Sequence, residues 1–486
     1  MTNIRINDQS FGSVQFERIS TEQCKKIHNA SLEILARTGV QLHDEEAVNL
    51  LKEAGAFIAE GNRVRIPAGL VEKALSTVPK RVTMYNRYGK PALYLEDYRC
   101  YYGTGSDCLN IIDHRTGERR PSVLKDIEEG IRLCDALPYV DFVMSMFLPE
   151  DKDQRIYGQY QMEVMLNNTT KPIVFVTPDF EGCVDAVEMT EAVAGSAEAL
   201  RQRPLIACYI NVTSALVHNQ EALQKLLYLS GKGLPYAYIP VTTGGINGPV
   251  TTAGTIALNN AGMLAGLVLS QLKREGSPFI APGMGVGALD MSSMATVYFD
   301  ADFRGLAAAM AHFYNLPCFG IGGVSESHMV DQETSAEAAI SLFHETLFGT
   351  NLIHDLGFLD GGMTGSFVQV VICNEIIRYL EHFMAPIEVS DETLALDIID
   401  EMGPEGEYLS HDHTMTHFRK IWIPDLFVRN DYETWQNAGS KSLTERATER
   451  IEKILAEHKP EPLPDDVVQA VNDIIQRAER NAGIKR

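Results

Sequence analysis

No stretch of this chain reaches the ~20 consecutive apolar residues that a membrane-spanning helix needs, and the opening MTNIRINDQSFGSVQFERIS has no apolar core of the signal-peptide kind. Both absences set the expectation of a cytoplasmic protein. Basic charge is also short. Against 65 Asp and Glu stand 42 Lys and Arg, a formal net charge of -23 over 486 residues. No extended positive field is therefore expected to draw in a phosphate backbone or an anionic lipid surface, and neither nucleic acid nor membrane is expected as a partner. The eight cysteines include no CxxC pair, and several sit inside apolar runs, as reduced structural thiols do. A GxGxxG turn opening a helix is missing too, which weakens a dinucleotide-binding reading.

What remains is ordinary globular material, 45% apolar and 22% charged, enough for a large core. Residues 20–79 read as helical. Ser20 and Gln23 form a capping box, Ile27, Ile34 and Leu35 keep helical spacing, and Gly39 offers a stop. A short alternating run at Arg63–Ile66 suggests a hairpin-like insert. From residue 98 the pattern changes to short β-rich runs separated by helical stretches. The expected strands are 99–103, 141–146, 172–177, 204–211, 236–241, 278–282, 317–322 and 351–356. Eight apolar strands in βα alternation predict an α/β fold, a closed (β/α)8 TIM barrel rather than an open sheet. The expected organisation is a mainly helical N-terminal cap (1–97), the catalytic barrel (98–385) and a C-terminal helical extension wrapped on it (386–486).

Active sites of such barrels lie at the C-terminal ends of the strands. Those ends carry polar and aromatic residues and read as poor in charge. They lack a Schiff-base lysine, a pair of carboxylates for glycoside chemistry and a tight His/Cys metal cluster. The glycine-rich pieces 244–248 and 283–287 read as βα turns or as places where backbone approaches a ligand. His411, His413 and His417 form the only local histidine cluster and lie outside the barrel run. His354, which ends the last strand beside Asp355, is a candidate ligand contact. Asp331 and Glu333 suit a helix N-terminus, and Glu375, on an apolar helix, needs a partner.

The pieces YYGTGSDCLNIIDHRTGERRPSVLKDI (101–127), GGINGPVTTAGTIALNNAGMLAGLVLSQL (244–272), ALDM (288–291), LPCFGIGGVSESHMVDQETSAEAA (316–339), NLIHDLGFLDGGMTGS (351–366) and HDHTMTHFRKIW (411–422) together resemble the trimethylamine methyltransferase family. The resemblance spans nearly the whole chain. It implies a barrel whose bound methylamine gives a methyl group to Co(I) of a separate corrinoid protein docked over the mouth. The corrinoid (cobalamin) would be presented by that partner, with no cofactor bound tightly and no metal of the chain's own. Founding members of the family carry pyrrolysine, whereas this sequence has standard residues only. That departure points to a donor that is already cationic, a quaternary amine, with glycine betaine first and proline betaine, carnitine or choline by the same logic. Glycine betaine would give dimethylglycine and methyl-Co(III).

Such a transfer needs no acid or base, only orientation and a dry pocket. An aromatic cage from Tyr102, Tyr209, Phe319, Phe358 and Phe367 would hold the ammonium at about 0.5–2 kcal/mol per contact. Asn211, Thr213 and His354 are candidate donors to a carboxylate, Glu375 is a further substrate-side candidate, and Gly320, Gly322 and Gly323 are candidates for approach by the partner's corrinoid. The segment 292–302 departs from the Gly- and Ser-Pro-containing stretch expected there in relatives. A homo-oligomer is expected. Two other readings stand beside this one: a barrel enzyme that holds a small phosphorylated metabolite near 320–323, and a non-catalytic binder of quaternary ammonium.

Overall fold

A computed structural model describes residues 15–484. Its centre is a ring of parallel strand pairings that closes on itself. Tyr101–Tyr102 pairs with Leu352–His354, which pairs with Cys318–Ile321, which pairs with Ala281–Pro282. Tyr236–Pro240 pairs with Ile206–Val212, and that strand with Ile173–Phe175. Parallel bridges Ala237 to Ile280, Val143 to Ile173 and Gly103 to Phe142 join the remaining edges. All eight expected strands are thus present, the second held only by bridges at 142 and 143.

Each strand is followed by a helix: Leu124–Ala136, Tyr157–Asn168, Phe180–Ala194, Gln220–Lys232, Thr252–Lys273, Leu306–Phe313, Gln332–Phe348 and Phe367–Met384. Helix Thr252–Lys273 corrects one sequence expectation, because it is long and apolar enough to cross a bilayer. It is apolar all round because it is sandwiched: 78% of its most apolar window is buried between the strands and the N-terminal cap.

Strand pleating sends alternate side chains into the barrel and out to the helices. The inward set includes Tyr101, Phe142, Met144, Val174, Ala207, Ala237, Ile239, Ile280, Phe319 and Leu352, at least one from each strand, packed as a single cluster. Residues of opposite phase, such as Tyr102, Cys208, Tyr238 and Ile353, belong to the strand–helix core. The foot of the barrel is stoppered by an antiparallel hairpin, Val82–Tyr85 with Pro91–Leu95. Its Val82, Met84, Leu93 and Leu95 join the inner cluster, and Tyr94 N donates to Tyr101 Oη at 2.8 Å.

The cap begins with helix Thr21–Arg37, started by the expected Ser20/Gln23 capping box. Gly39 stops it at φ 73, where a Cβ would lie 2.4 Å from Val64 O. At the other end, helices Leu443–Glu457 and Asp465–Asn481 lie along the barrel wall. They are tied by Glu452 to His114 (2.7 Å), His458 to Asp135 (2.8 Å) and Arg477 to Asp185 (2.6 Å). Between them and the barrel runs an arm, 386–441, in which Leu426 is the single buried residue. The arm exposes Ile387, Val389, Leu396, Leu409, Ile421 and Tyr432. All eight cysteines are buried and unbonded.

Candidate functional site

At the C-terminal ends of the strands a cavity of ≈ 240 Å³ opens between the fourth to seventh strands and the loop that follows the sixth. A larger depression of ≈ 350 Å³, lined by Phe16, Tyr98, His312 and Phe348, sits toward the foot, where barrel enzymes do not place chemistry. The mouth cavity is walled by Tyr209, Ile239, Val241, Thr243 and Ile321, by the backbone of 283–287, and by Val297, Tyr298, Asp300, Phe303 and Arg304 from the loop above.

Inward pleating at the strand ends brings Tyr209, Phe319 and His354 together. The Tyr209 and Phe319 rings stack at 5.3 Å, and Phe319 lies 4.2 Å from the His354 ring. His354 Nδ1–H donates to Gly320 O at 2.6 Å, and its Nε2 lies 3.3 Å from Asp355 Oδ1. The other Asp355 oxygen accepts from Tyr298 Oη. Asp355 itself is held in the left-handed region at φ 74, a conformation that non-glycine residues adopt at a cost and that clusters at functional sites. Room for its carboxylate comes from Gly105, where an added Cβ would lie 1.8 Å from Asp355 Oδ1 and 2.6 Å from the Phe358 ring.

A second acid, Asp107, also sits at positive φ (65) and accepts from Gln161 Nε2 at 3.1 Å. Burial pushes the Asp107 carboxyl above the usual carboxylate range, and the charge of Asp355 adds to that. Burial likewise raises Asp355, against the pull of His354, the Tyr298 hydroxyl and Arg304. Arg304 is itself buried and pairs with Glu345 at 3.3 Å. Two carboxylates thus stand at strand ends that the sequence read as poor in charge, so that reading is corrected. Buried carboxylates raised in this way are relieved by an incoming cation and repel an anion.

The candidate residues divide by pleat phase. Tyr209, Phe319 and His354 gather at the mouth, and Phe358 packs at its edge against Gly105. Asn211 shares the inward phase of Tyr209 and is exposed at the rim with Thr213. Tyr102 faces the other way, its Oη 2.7 Å from Thr346 Oγ1 in the helix layer, because one residue of register separates it from the inward Tyr101. Phe367 packs against Phe147, with ring centroids 6.0 Å apart. Glu375 accepts from Asp425 N at 2.7 Å and so anchors the C-terminal arm rather than the mouth.

Gly320, Gly322 and Gly323 do not present an open face to a partner. The space beside them is filled by Glu345 and Thr350, by Ile353 and Leu342, and by Leu356 and Cys373 respectively. Gly322 N bonds His354 O, and Gly323 N bonds Ser341 Oγ, both at 3.0 Å. Asp331 caps the next helix, as its position suggested. In the histidine trio the His413 and His417 rings lie 4.4 Å apart, but His411 Nδ1 is taken up in accepting from His413 N (3.0 Å) and His417 pairs with Glu392 at 3.3 Å. Among the described residues no group of three or more His, Cys, Asp or Glu side chains is placed to hold a metal ion.

Sequence reasoning missed Asp107, Tyr298, Arg304 and Glu345. The one signal for the first was the run Gly-Thr-Gly-Ser-Asp at the first strand's end, whose glycines mark close approach.

A sequence model of the family described as trimethylamine methyltransferase matches residues 8–483. The trimethylamine methyltransferase MttB of Desulfitobacterium hafniense (strain DSM 10664 / DCB-2) is 31% identical over 482 residues, covering 98% of this chain and 96% of that protein. A glycine betaine methyltransferase of Desulfitobacterium hafniense (strain Y51) is 26% identical, covering 96% and 98%. Among solved structures, the monomethylamine methyltransferase of Methanosarcina barkeri is similar in fold, with a TM-score of 0.51 at 12% identity over 98% of this chain and 90% of that one.

Proposed function

The chain belongs to the trimethylamine methyltransferase family, and from that premise we propose that it moves a methyl group from a quaternary amine to Co(I) of a corrinoid protein. It would work in the cytoplasm as a homo-oligomer, with the corrinoid held by the partner. The observation that carries this reading is a roofed cavity at the strand ends walled by the aromatic rings of Tyr209, Tyr298 and Phe303 and by the carboxylates of Asp300 and Glu345, with Phe319 packed behind Tyr209 and Asp355 bonded to Tyr298. A permanent cation is the ligand that such a surface favours, through ring quadrupoles and by charge.

The step balances without acid or base. The Co(I) electron pair forms a bond to the methyl carbon, the C–N pair returns to nitrogen, and a neutral tertiary amine leaves. The chain's part is to hold the N-methyl carbon in line and keep water out. Glycine betaine is the first donor to test, with Asn211 and Thr213 at the rim as donors to its carboxylate. His354 acts through Asp355, since both its ring nitrogens already have partners within the chain. The phosphate-binding alternative is disfavoured by the acidic mouth and by the glycine N–H groups already engaged at 322 and 323.

The test is anaerobic mixing with free cob(I)alamin, following conversion to methylcobalamin. Glycine betaine, proline betaine, carnitine, choline and trimethylamine run in parallel. Methylation from one quaternary amine and none from trimethylamine is expected. Binding of a quaternary amine with no transfer to free cobalamin or to a corrinoid protein would instead make the chain a binder.

A further inference from the structure

Two consecutive residues, Arg304 and Gly305, face two different cavities. Arg304 lines the donor cavity, whereas Gly305, with Ala309 and His312 on the same face of helix Leu306–Phe313, lines the ≈ 350 Å³ groove outside the barrel. Helix Gln332–Phe348 repeats the pattern, with Glu345 on the donor side and Phe348 on the groove side. The two cavities therefore share a wall. Arg304 pairs with Glu345 at 3.3 Å on one face of it. On the other, Gly305 sits at φ 75, and a Cβ there would lie 2.5 Å from the Phe348 ring.

The groove has the chemistry of a cation site. The Tyr98 and His312 rings stack at 4.3 Å with planes 6° apart, and the Phe16 and Phe348 rings lie 5.7 Å apart. Glu17 is the one carboxylate among the described residues that line it, and no lysine or arginine stands there to neutralise it. Burial raises the Tyr98 hydroxyl and the Cys24 thiol above their ordinary values, and the charge of Glu17 adds to both, so its field reaches into the groove. Burial also holds the His312 imidazole below its ordinary value, which leaves it an uncharged ring at neutral pH, its Nε2 2.8 Å from Phe348 O. Such a surface repels an anion and offers a metal ion a single carboxylate. An alkylated ammonium ion fits it on both counts, with charge for Glu17 and the ring faces and apolar surface for the remaining wall.

We infer that this groove is a second, non-reacting site for a small methylated ammonium ion, and that filling it stiffens the roof of the donor cavity. The link is Arg18. Phe16 N donates to Leu347 O at 3.2 Å, which ties the segment carrying Phe16 and Glu17 to the end of helix Gln332–Phe348. The next residue reaches the roof: Arg18 Nη1 donates to the carbonyls of Ala301, Asp302 and Arg304 at 2.8, 3.0 and 2.9 Å. A cation gripped by Phe16 and Glu17 fixes the side chain that holds the end of the roof. Coupling between two sites is reciprocal, so a filled groove tightens the donor cavity and a filled donor cavity tightens the groove. On the methyl-transfer reading two sources supply this chemistry, the quaternary donor and the protonated tertiary product. The groove's preference for such ions does not depend on that reading.

Calorimetric titration of the full chain with tetramethylammonium chloride, and separately with trimethylammonium chloride, counts the sites. Two classes are expected in the wild type. Glu17→Gln and Phe16→Ala should each raise one dissociation constant at least ~10-fold and change the other by no more than about 5-fold, the reach of a modest coupling. Asp355→Asn should do the reverse. Amide exchange across 298–304 reads the link: saturating probe should slow it at least ~3-fold more in the wild type than in Glu17→Gln or Arg18→Ala. A single class of site, or two classes that neither groove variant disturbs, overturns the second site. Equal slowing in the wild type and both variants overturns its hold on the roof. The tighter probe names the source, tetramethylammonium standing for the donor and trimethylammonium for the product. Binding is read without an acceptor, so failure to transfer a methyl group would count against the methyl-transfer reading alone.

Discussion

Tyr298 Oη donates to the carboxylate of Asp355, so the loop that roofs the cavity is bonded across the mouth to the end of the last barrel strand. Glu326 reinforces the tie by accepting from Phe299 N at 2.7 Å. The roof and the cation-attracting acid therefore move together, and a change at either is felt by the other.

Tyr298→Phe should loosen the roof without removing any charge. Amide exchange across 286–304 should speed up, and donor affinity should fall about 3- to 10-fold, that is ~0.7–1.4 kcal/mol. Exchange rates identical to wild type would mean that the bond does not hold the loop.

Asp355 gives the donor site a pH dependence whose sign is fixed. Its pKa is raised by burial, so acidification protonates it at a pH above the ~3.9 of a free aspartate. A quaternary nitrogen does not titrate. Donor affinity should thus fall as pH drops through that window, whereas the fold gains from the same protonation, since the folded state binds the proton more tightly than the unfolded one. Calorimetric titration from pH 8 to 4.5 should show this, and Asp355→Asn should weaken binding and flatten the profile. A profile of equal slope in the variant would assign the titration elsewhere.

Gly105→Ala should displace the Asp355 carboxylate, because the new methyl would occupy its position. Residue 105 is not at positive φ, so the backbone tolerates alanine. The expected result is native circular dichroism with methyl transfer reduced by about 10²-fold, in line with the cost of a small misplacement at a reacting site. Full activity would show that Asp355 has room to move.

The arm at 386–441 predicts the assembly state. Thirteen exposed large apolar side chains from Ile387 to Tyr432 are the kind of surface that a standard interface, at about 800 Å² per partner, covers. Sedimentation should give a species larger than the 53.8 kDa chain, and Ile387→Asp with Leu409→Asp should shift it toward the monomer. A monomeric wild type at micromolar concentration would leave the arm without this role.

The barrel was legible because each strand is a short apolar run at βα spacing, and all eight runs recur in the structure. The direction of individual side chains was not. Tyr101 and Tyr102 are indistinguishable by composition, yet one fills the barrel and the other bonds Thr346, since pleating alternates at every residue. His354 was found because it ends a strand. Tyr298 and Arg304 were missed because they come from a loop without periodicity, whose place over the mouth is set by tertiary bonds. The glycines at 320, 322 and 323 looked like approach points for a ligand and instead make room for Glu345, Ile353 and Leu356.

The stopper hairpin closes the foot of the barrel, so among the described residues the donor and its demethylated product pass by the mouth. If the acceptor's carrier sits on that doorway, events must queue. The amine has to be seated before the carrier arrives, and the spent amine stays enclosed until the carrier departs. Steady-state kinetics should then follow a compulsory order, with the amine product inhibiting competitively against its own donor and the methylated carrier released first.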